Sequence, residues 1–164
     1  MFRTALDRWC RADYAYGVAA AYANIGSTHA RWGNHLRDHR ITDQAQGQYR
    51  RAVEWLERCL EFSARARLGD DTSQAQGMLA EVHLELGDLD RAWAMATAAH
   101  EAAKRAGNEL DLASATFILG KLHALRGDAE QARILLREAR TRFERLGHME
   151  RTKGIQHLLD SVSA

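Results

Sequence analysis

"AQGMLAEVHLELGDLDRAWAMATAAHEAAKRAG" (residues 75–107) falls on "ATFILGKLHALRGDAEQARILLREARTRFERLG" (residues 115–147) when the chain is shifted by 40 positions. Nine pairs are identical without a gap: Ala75/Ala115, Leu79/Leu119, His83/His123, Gly87/Gly127, Asp88/Asp128, Ala92/Ala132, Ala99/Ala139, Arg105/Arg145 and Gly107/Gly147. A register held over a whole unit marks a repeat protein, in which each unit buries its apolar face only against its neighbours. Each unit reads as two helices. In the first, Ala75, Met78, Leu79, Val82 and Leu86 recur at helical spacing, as do Ala115, Ile118, Leu119, Leu122 and Leu125. Gly87-Asp88 and Gly127-Asp128 then break the chain, the glycine suited to a left-handed C′ position and the aspartate to capping the next helix. The second helix carries Leu89, Ala92, Met95, Ala96 and Ala99, matched by Ala129, Ala132, Leu135, Leu136 and Ala139, and stops at Gly107 or Gly147.

Partial copies flank these units. Towards the C-terminus Ile155, Leu158, Leu159 and Val162 form a stripe, with Leu159 40 positions beyond Leu119. Upstream, "AYANIGSTHARWG" (residues 21–33) sets Ile25, Gly26, His29 and Gly33 against Leu79, Ala80, His83 and Gly87, and "QYRRAVEWLERCLE" (residues 48–61) supplies its second helix. "TALDRWCRADYAYGVA" (residues 4–19) aligns with the tail of a second helix, so the chain is expected to begin part-way through a repeat. The expected organisation is a single all-α domain over 1–164, an α-solenoid of antiparallel helix pairs. It holds a partial N-terminal repeat helix (1–16), three repeats (17–69, 70–108 and 109–148) and a C-terminal capping helix (149–164).

The bulk composition agrees with this reading. The 164 residues are 46% hydrophobic and 27% charged, and proline is absent. A chain of this length would ordinarily hold about eight prolines. Of 23 basic residues all but Lys104, Lys121 and Lys153 are arginine, a bias that fits a GC-rich bacterial coding sequence. The net charge of +1 gives no general attraction to nucleic acid or anionic membrane. No apolar run is long enough to span a bilayer, and the start has no signal-peptide core, so a cytoplasmic location is expected. Cys10 and Cys59 read as two reduced thiols.

These residues resemble tetratricopeptide repeats in their longer form of roughly 40 residues. The family pattern of large apolar, small, aromatic and alanine positions is met by Leu79, Ala80, His83 and Ala92, by Leu119, Gly120, His123 and Ala132, and by Ile25, Gly26 and His29. Histidine replaces the common aromatic in all three, and the closing proline is missing. The resemblance implies a superhelix whose first helices line a concave groove for a peptide or partner helix. It also implies a place in bacterial regulatory or signalling proteins. Carried over by register, the groove residues are Ser27, Arg31, Gln74, Glu81, Glu85, Phe117 and Lys121. Reversing Glu81 and Glu85 together to lysine is the expected way to abolish binding.

One stretch interrupts the pattern: "GNHLRDHRITDQAQG" (residues 33–47), where two glycines 14 positions apart both fit the inter-helix position, so 14 residues have been added. Fourteen residues are close to four helical turns, so sharing them between two helices lengthens a hairpin by about two turns without rotating either. Asp43 followed by Gln46 resembles a capping box that would start the second helix there. His35 and His39 share one helical face, as metal-binding histidines do, but "HLRDH" lacks the glutamate of HExxH and a third ligand is not evident. A taller scaffold is the favoured reading over a metal-dependent enzyme or sensor.

The remaining features weigh toward scaffold as well. His29, His83 and His123 occupy a packing position; if all three were charged together, the stack would loosen below about pH 6. Arg133, Arg137 and Arg140 are interleaved with Glu130 and Glu138, the pattern of a solvated face. Trp9, Trp32, Trp55 and Trp93 fall one per helix pair and are expected in the core. "GDDTSQAQG" (residues 69–77) lacks the lysine of a phosphate loop, and neither cysteine has a base arranged beside it. The expectation is a non-enzymatic module with no cofactor and no metal, whose partner is another protein or peptide. Self-association is the alternative, since a helix face is left uncovered at the N-terminus.

Overall fold

The computed structural model describes residues 2–68 and 72–162, with side chains from Tyr14 onward. Expected placements of the Trp9 and Cys10 side chains, and of the start of the stretch weighed against a phosphate loop, lie outside the described residues. Within them the chain forms seven helices: α1 (Phe2–Asp38), α2 (Thr42–Ala66), α3 (Ser73–Glu85), α4 (Leu89–Ala106), α5 (Glu109–Leu125), α6 (Ala129–Arg145) and α7 (Met149–Val162). Helices α1 and α2, α3 and α4, and α5 and α6 pack as hairpins; each hairpin rests on the next, and α7 closes against α6. The chain is an all-α helical-repeat solenoid.

The punctuation follows the predicted chemistry. Gly87 and Gly127 take φ of 78° and 83°, which side chains with a Cβ adopt only under strain. The amides of Asp88 and Asp128 then reach back to the carbonyls of His83 and His123 at 2.9 and 3.0 Å, and the two carboxylates accept from the amides of Arg91 and Gln131. Each break therefore ends one helix and starts the next within three residues.

The core runs along the stack as linked clusters rather than one central mass. Ala19, Leu56, Cys59, Ala75 and Leu79 join the first two hairpins, and Ala80, Ala92, Ala96, Ile118 and Leu122 join the second to the third. Ala113, Leu136, Ala139 and Phe143 join the third to Ile155 and Leu159 of α7.

Five expectations are corrected. No break separates residues 1–16 from those that follow: α1 is continuous for 37 residues through Tyr16 and Gly17. An isolated glycine in a helix interior costs only about 1 kcal/mol, and no proline is present to stop the helix. The second helix starts at Thr42, not at a capping box on Asp43. Arg40 takes a left-handed φ of 62°, the Ile41 amide returns to the Leu36 carbonyl at 2.9 Å, and the chain re-enters a helix at once. Ile25 is 38% exposed although its counterpart Leu79 is buried, because Leu79 packs on α2 whereas no described helix covers Ile25 in the same way. Leu125 is 60% exposed. Its register counterpart is Glu85, itself only half-buried, so the position lies at the edge of the apolar face rather than in the core. The described tryptophans are not core either: Trp32 is exposed, while Trp55 and Trp93 are half-buried against Tyr22 and His123.

The repeated histidines have different surroundings. His29 Nδ1 lies 2.7 Å from Gln48 Oε1, and His123 Nδ1 3.0 Å from Asp128 Oδ2. His83 is buried with its Nδ1 unpaired, 3.9 Å from the Asp88 carboxylate. Burial pushes this imidazole below the ordinary histidine range, and Asp88 opposes that only in part. The folded chain therefore binds this proton less readily than the unfolded chain. Stability from this site is complete above the ordinary histidine range, about pH 6.5, and is lost as pH falls below it. Thermal unfolding is expected to shift downward between about pH 8 and about pH 5.5, with a shallower slope in His83→Leu. Equal slopes in the two proteins would remove His83 as the cause.

Candidate binding groove

The first helices α3 and α5, the long α1 and the closing α7 surround one concave groove of about 410 Å³. Its size is in the range of ligand-binding clefts. Six of the seven residues expected from the register meet there: Ser27, Arg31, Glu81, Glu85, Phe117 and Lys121. Gln74 lies apart in an adjoining hollow, beside Ser73 and Asp111, which shares Met78, Glu81 and Arg151 with the groove.

The taller hairpin forms one wall. Its two extra turns raise α1 and α2 by about 10 Å, which carries Asn34, Arg37 and Tyr49 into the lining. Tyr49 is buried, donates from its hydroxyl to Asn34 Oδ1 at 2.8 Å, and lies against Gly33, where a Cβ would come within 2.5 Å of the ring. Residues 27, 31, 34 and 37 form a single helical stripe, a spacing that would have added Asn34 and Arg37 to the expected set. Arg151 was missed for another reason: α7 was read only through the apolar stripe that covers α6.

The charges divide into engaged and free groups. Arg37 donates to Glu85 Oε2 at 2.6 Å and to Asp38 at 2.9 Å, and these hydrogen bonds raise its already high pKa further. Glu85 is thus already taken, and reversing its charge would release Arg37 as well as alter the groove. Arg31, Lys121 and Arg151 have no carboxylate in salt-bridge range among the described residues. Lys121 sits over the Phe117 ring at 5.6 Å, and Arg151 bonds Ser114 at 3.0 Å while lying over Phe143 at 5.2 Å. Glu81 lines the groove and is exposed to it. Desolvation by the surrounding walls pushes its carboxyl above the usual range, against the pull of Arg151 and Lys121 and with the help of Glu85.

His35 and His39 lie at the tip of the tall hairpin, outside this lining, with rings 4.3 Å apart. His39 Nδ1 is 2.8 Å from the His35 carbonyl, which engages one of its two ring nitrogens. Among the described residues no three His, Cys, Asp or Glu side chains are grouped to hold a metal ion, and no helix is long and apolar enough to cross a membrane.

A family model described as tetratricopeptide repeat matches residues 71–145, which span α3 to α6. Among solved structures, the chain is similar to BtubC (BKLC) from P. vanneervenii, with 15% identity, 91% of each chain covered and a TM-score of 0.50. At that identity the likeness concerns the fold alone. No curated protein matches. Tetratricopeptide repeats generally mediate protein–protein interaction and typically form a non-enzymatic scaffold. With its 40-residue register and its paired helices, the part of the chain from α3 to α6 matches the tetratricopeptide repeat family.

Proposed function

We propose that the chain is a non-enzymatic module that binds a segment of another protein in the groove between α1, α3, α5 and α7. The regulatory or signalling setting in the bacterial cytoplasm, which the resemblance implies, is part of the same reading. The observation that carries it is the meeting of Ser27, Arg31, Glu81, Phe117 and Lys121, drawn from three repeats, in one concave surface with unengaged charges. Polar groups held open on a rigid concave wall suit recognition better than they suit stability, since each could otherwise be satisfied locally.

The test fills the groove rather than removing a charge. A bound partner is expected to be lost in Ser27→Trp and kept in Ile134→Ser, which changes an exposed residue of α6 outside the groove lining. Size-exclusion chromatography of the mixed proteins reads the outcome. A partner that survives Ser27→Trp would sink the groove reading.

Self-association is the second reading. Tyr14, Ile25 and Trp32 are 75%, 38% and 53% exposed and lie eleven and seven residues apart on α1, near whole numbers of turns. They form one uncovered apolar stripe. A monomer mass independent of concentration in light scattering would remove this reading.

A further inference from the structure

The two hairpin junctions differ at one place, which shares no lining residue with the groove. Between the second and third hairpins, Trp93 of α4 meets His123 of α5 edge-on, with ring centroids 4.8 Å apart. Arg126 lies over the indole at 4.2 Å and is itself held by Asp90 at 3.4 Å. In the 40-residue register, Trp93, His123, Arg126 and Asp90 answer to Val53, His83, Leu86 and Arg50. Between the first and second hairpins the indole is therefore missing. A hollow of about 300 Å³ opens there, and Val53, His83, Leu86 and Arg50 are all in its lining, with Asp88 and Arg91. Two of these groups have no partner. His83 is 4% exposed and its Nδ1 makes no hydrogen bond, whereas His123 Nδ1 meets Asp128 at 3.0 Å. Arg91 competes for the carboxylate: its Nε is 3.4 Å from Asp88 Oδ2, which stays 3.9 Å from His83, while the counterpart Gln131 is uncharged. Arg50 makes no ion pair within 4 Å among the described residues, since a cation stands where the third hairpin's Arg126 finds Asp90.

We propose that this hollow binds a small planar aromatic acid, its ring seated where the register leaves out an indole and its carboxylate on Arg50 and Arg91. The ring meets His83 as Trp93 meets His123, an edge-to-face contact that adds to the apolar area buried against Val53 and Leu86. The carboxylate supplies the anion that Arg50 lacks. As it also draws Arg91 from Asp88, the Asp88 carboxylate is freed to close on His83 Nδ1, as Asp128 does on His123. One ligand thus fills the space and satisfies both unpartnered groups. The volume lies at the small end of ligand-binding clefts, which suits a single bicyclic ring rather than a peptide. A tryptophan side chain from another protein offers the same ring but no anion for Arg50, so the charges select the free acid.

The experiment follows the histidine ring signals of the full chain by NMR. The probes are indole-3-acetate, neutral indole, and N-acetyltryptophanamide, which imitates a tryptophan within a protein. Indole-3-acetate is expected to shift the His83 signals and to leave those of His123, already against Trp93, in place. Arg50→Ala, at an exposed position, is expected to weaken it about tenfold, to the affinity of neutral indole. Val53→Trp supplies the ring from the chain itself and is expected to abolish the His83 response. If Val53→Trp does not fold, Arg50→Trp covers the hollow from an exposed position and is expected to abolish the response in its place. No shift at His83 with any of the three compounds overturns the proposal, and so does a response that survives the blocking variant. If N-acetyltryptophanamide binds as tightly as indole-3-acetate and Arg50→Ala changes neither, the hollow takes a partner's tryptophan and the free acid is wrong.

Discussion

Phe143→Ala is expected to lower the free energy of unfolding by about 4 kcal/mol, the usual cost of removing a buried aromatic ring. Phe143 is fully buried on α6 and links Ala113 of α5 to Ile155 and Leu159 of α7. His148 meets the ring edge-on at 6.0 Å and Arg151 lies over its face, so the same ring that holds the closing helix also supports one of the groove's cations. In a solenoid each unit leans only on its neighbours, so the loss is concentrated at the C-terminal end. Urea unfolding followed by circular dichroism measures the total, and hydrogen exchange in α7 locates it. A change below about 1 kcal/mol would mean that α7 contributes little to the stack.

Gly33→Ala is expected to destabilise the tall hairpin by about 2 kcal/mol, although alanine is ordinarily the better helix former. The added Cβ would lie 2.5 Å from Cε1 of the Tyr49 ring. The ring is buried and its hydroxyl is tied to Asn34, so it cannot turn away without breaking that bond or displacing Leu36 and Ala45 beside it. Overpacking of this kind outweighs the gain of about 1 kcal/mol from helix propensity. Tyr49 also lines the groove, so partner affinity should fall together with the unfolding midpoint. An unchanged or raised midpoint in thermal unfolding would show that the two helices can separate at little cost.

The sequence by itself determined the class of fold and the breaks between helices. Periodicity and turn chemistry are local: a glycine that tolerates positive φ and an aspartate that caps act within a few residues, and the 40-residue register then copies one unit's geometry onto the next. Carried over from the family resemblance along that register, Ser27, Arg31, Glu81, Phe117 and Lys121 fall on the lining of one concave surface. Only the tertiary structure decided what depends on neighbours beyond the unit. Ile25 matches the buried Leu79 in the register and is exposed, because no described helix packs on that face of α1 as α2 packs on Leu79. Glu85 and Glu81 look alike in sequence, four residues apart on one helix, yet the added turns of α1 bring Arg37 to Glu85, while Glu81 makes no ion pair within 4 Å among the described residues. Which charges are closed and which stay open is set by distances between helices far apart in the chain, and the repeat pattern carries no record of those distances.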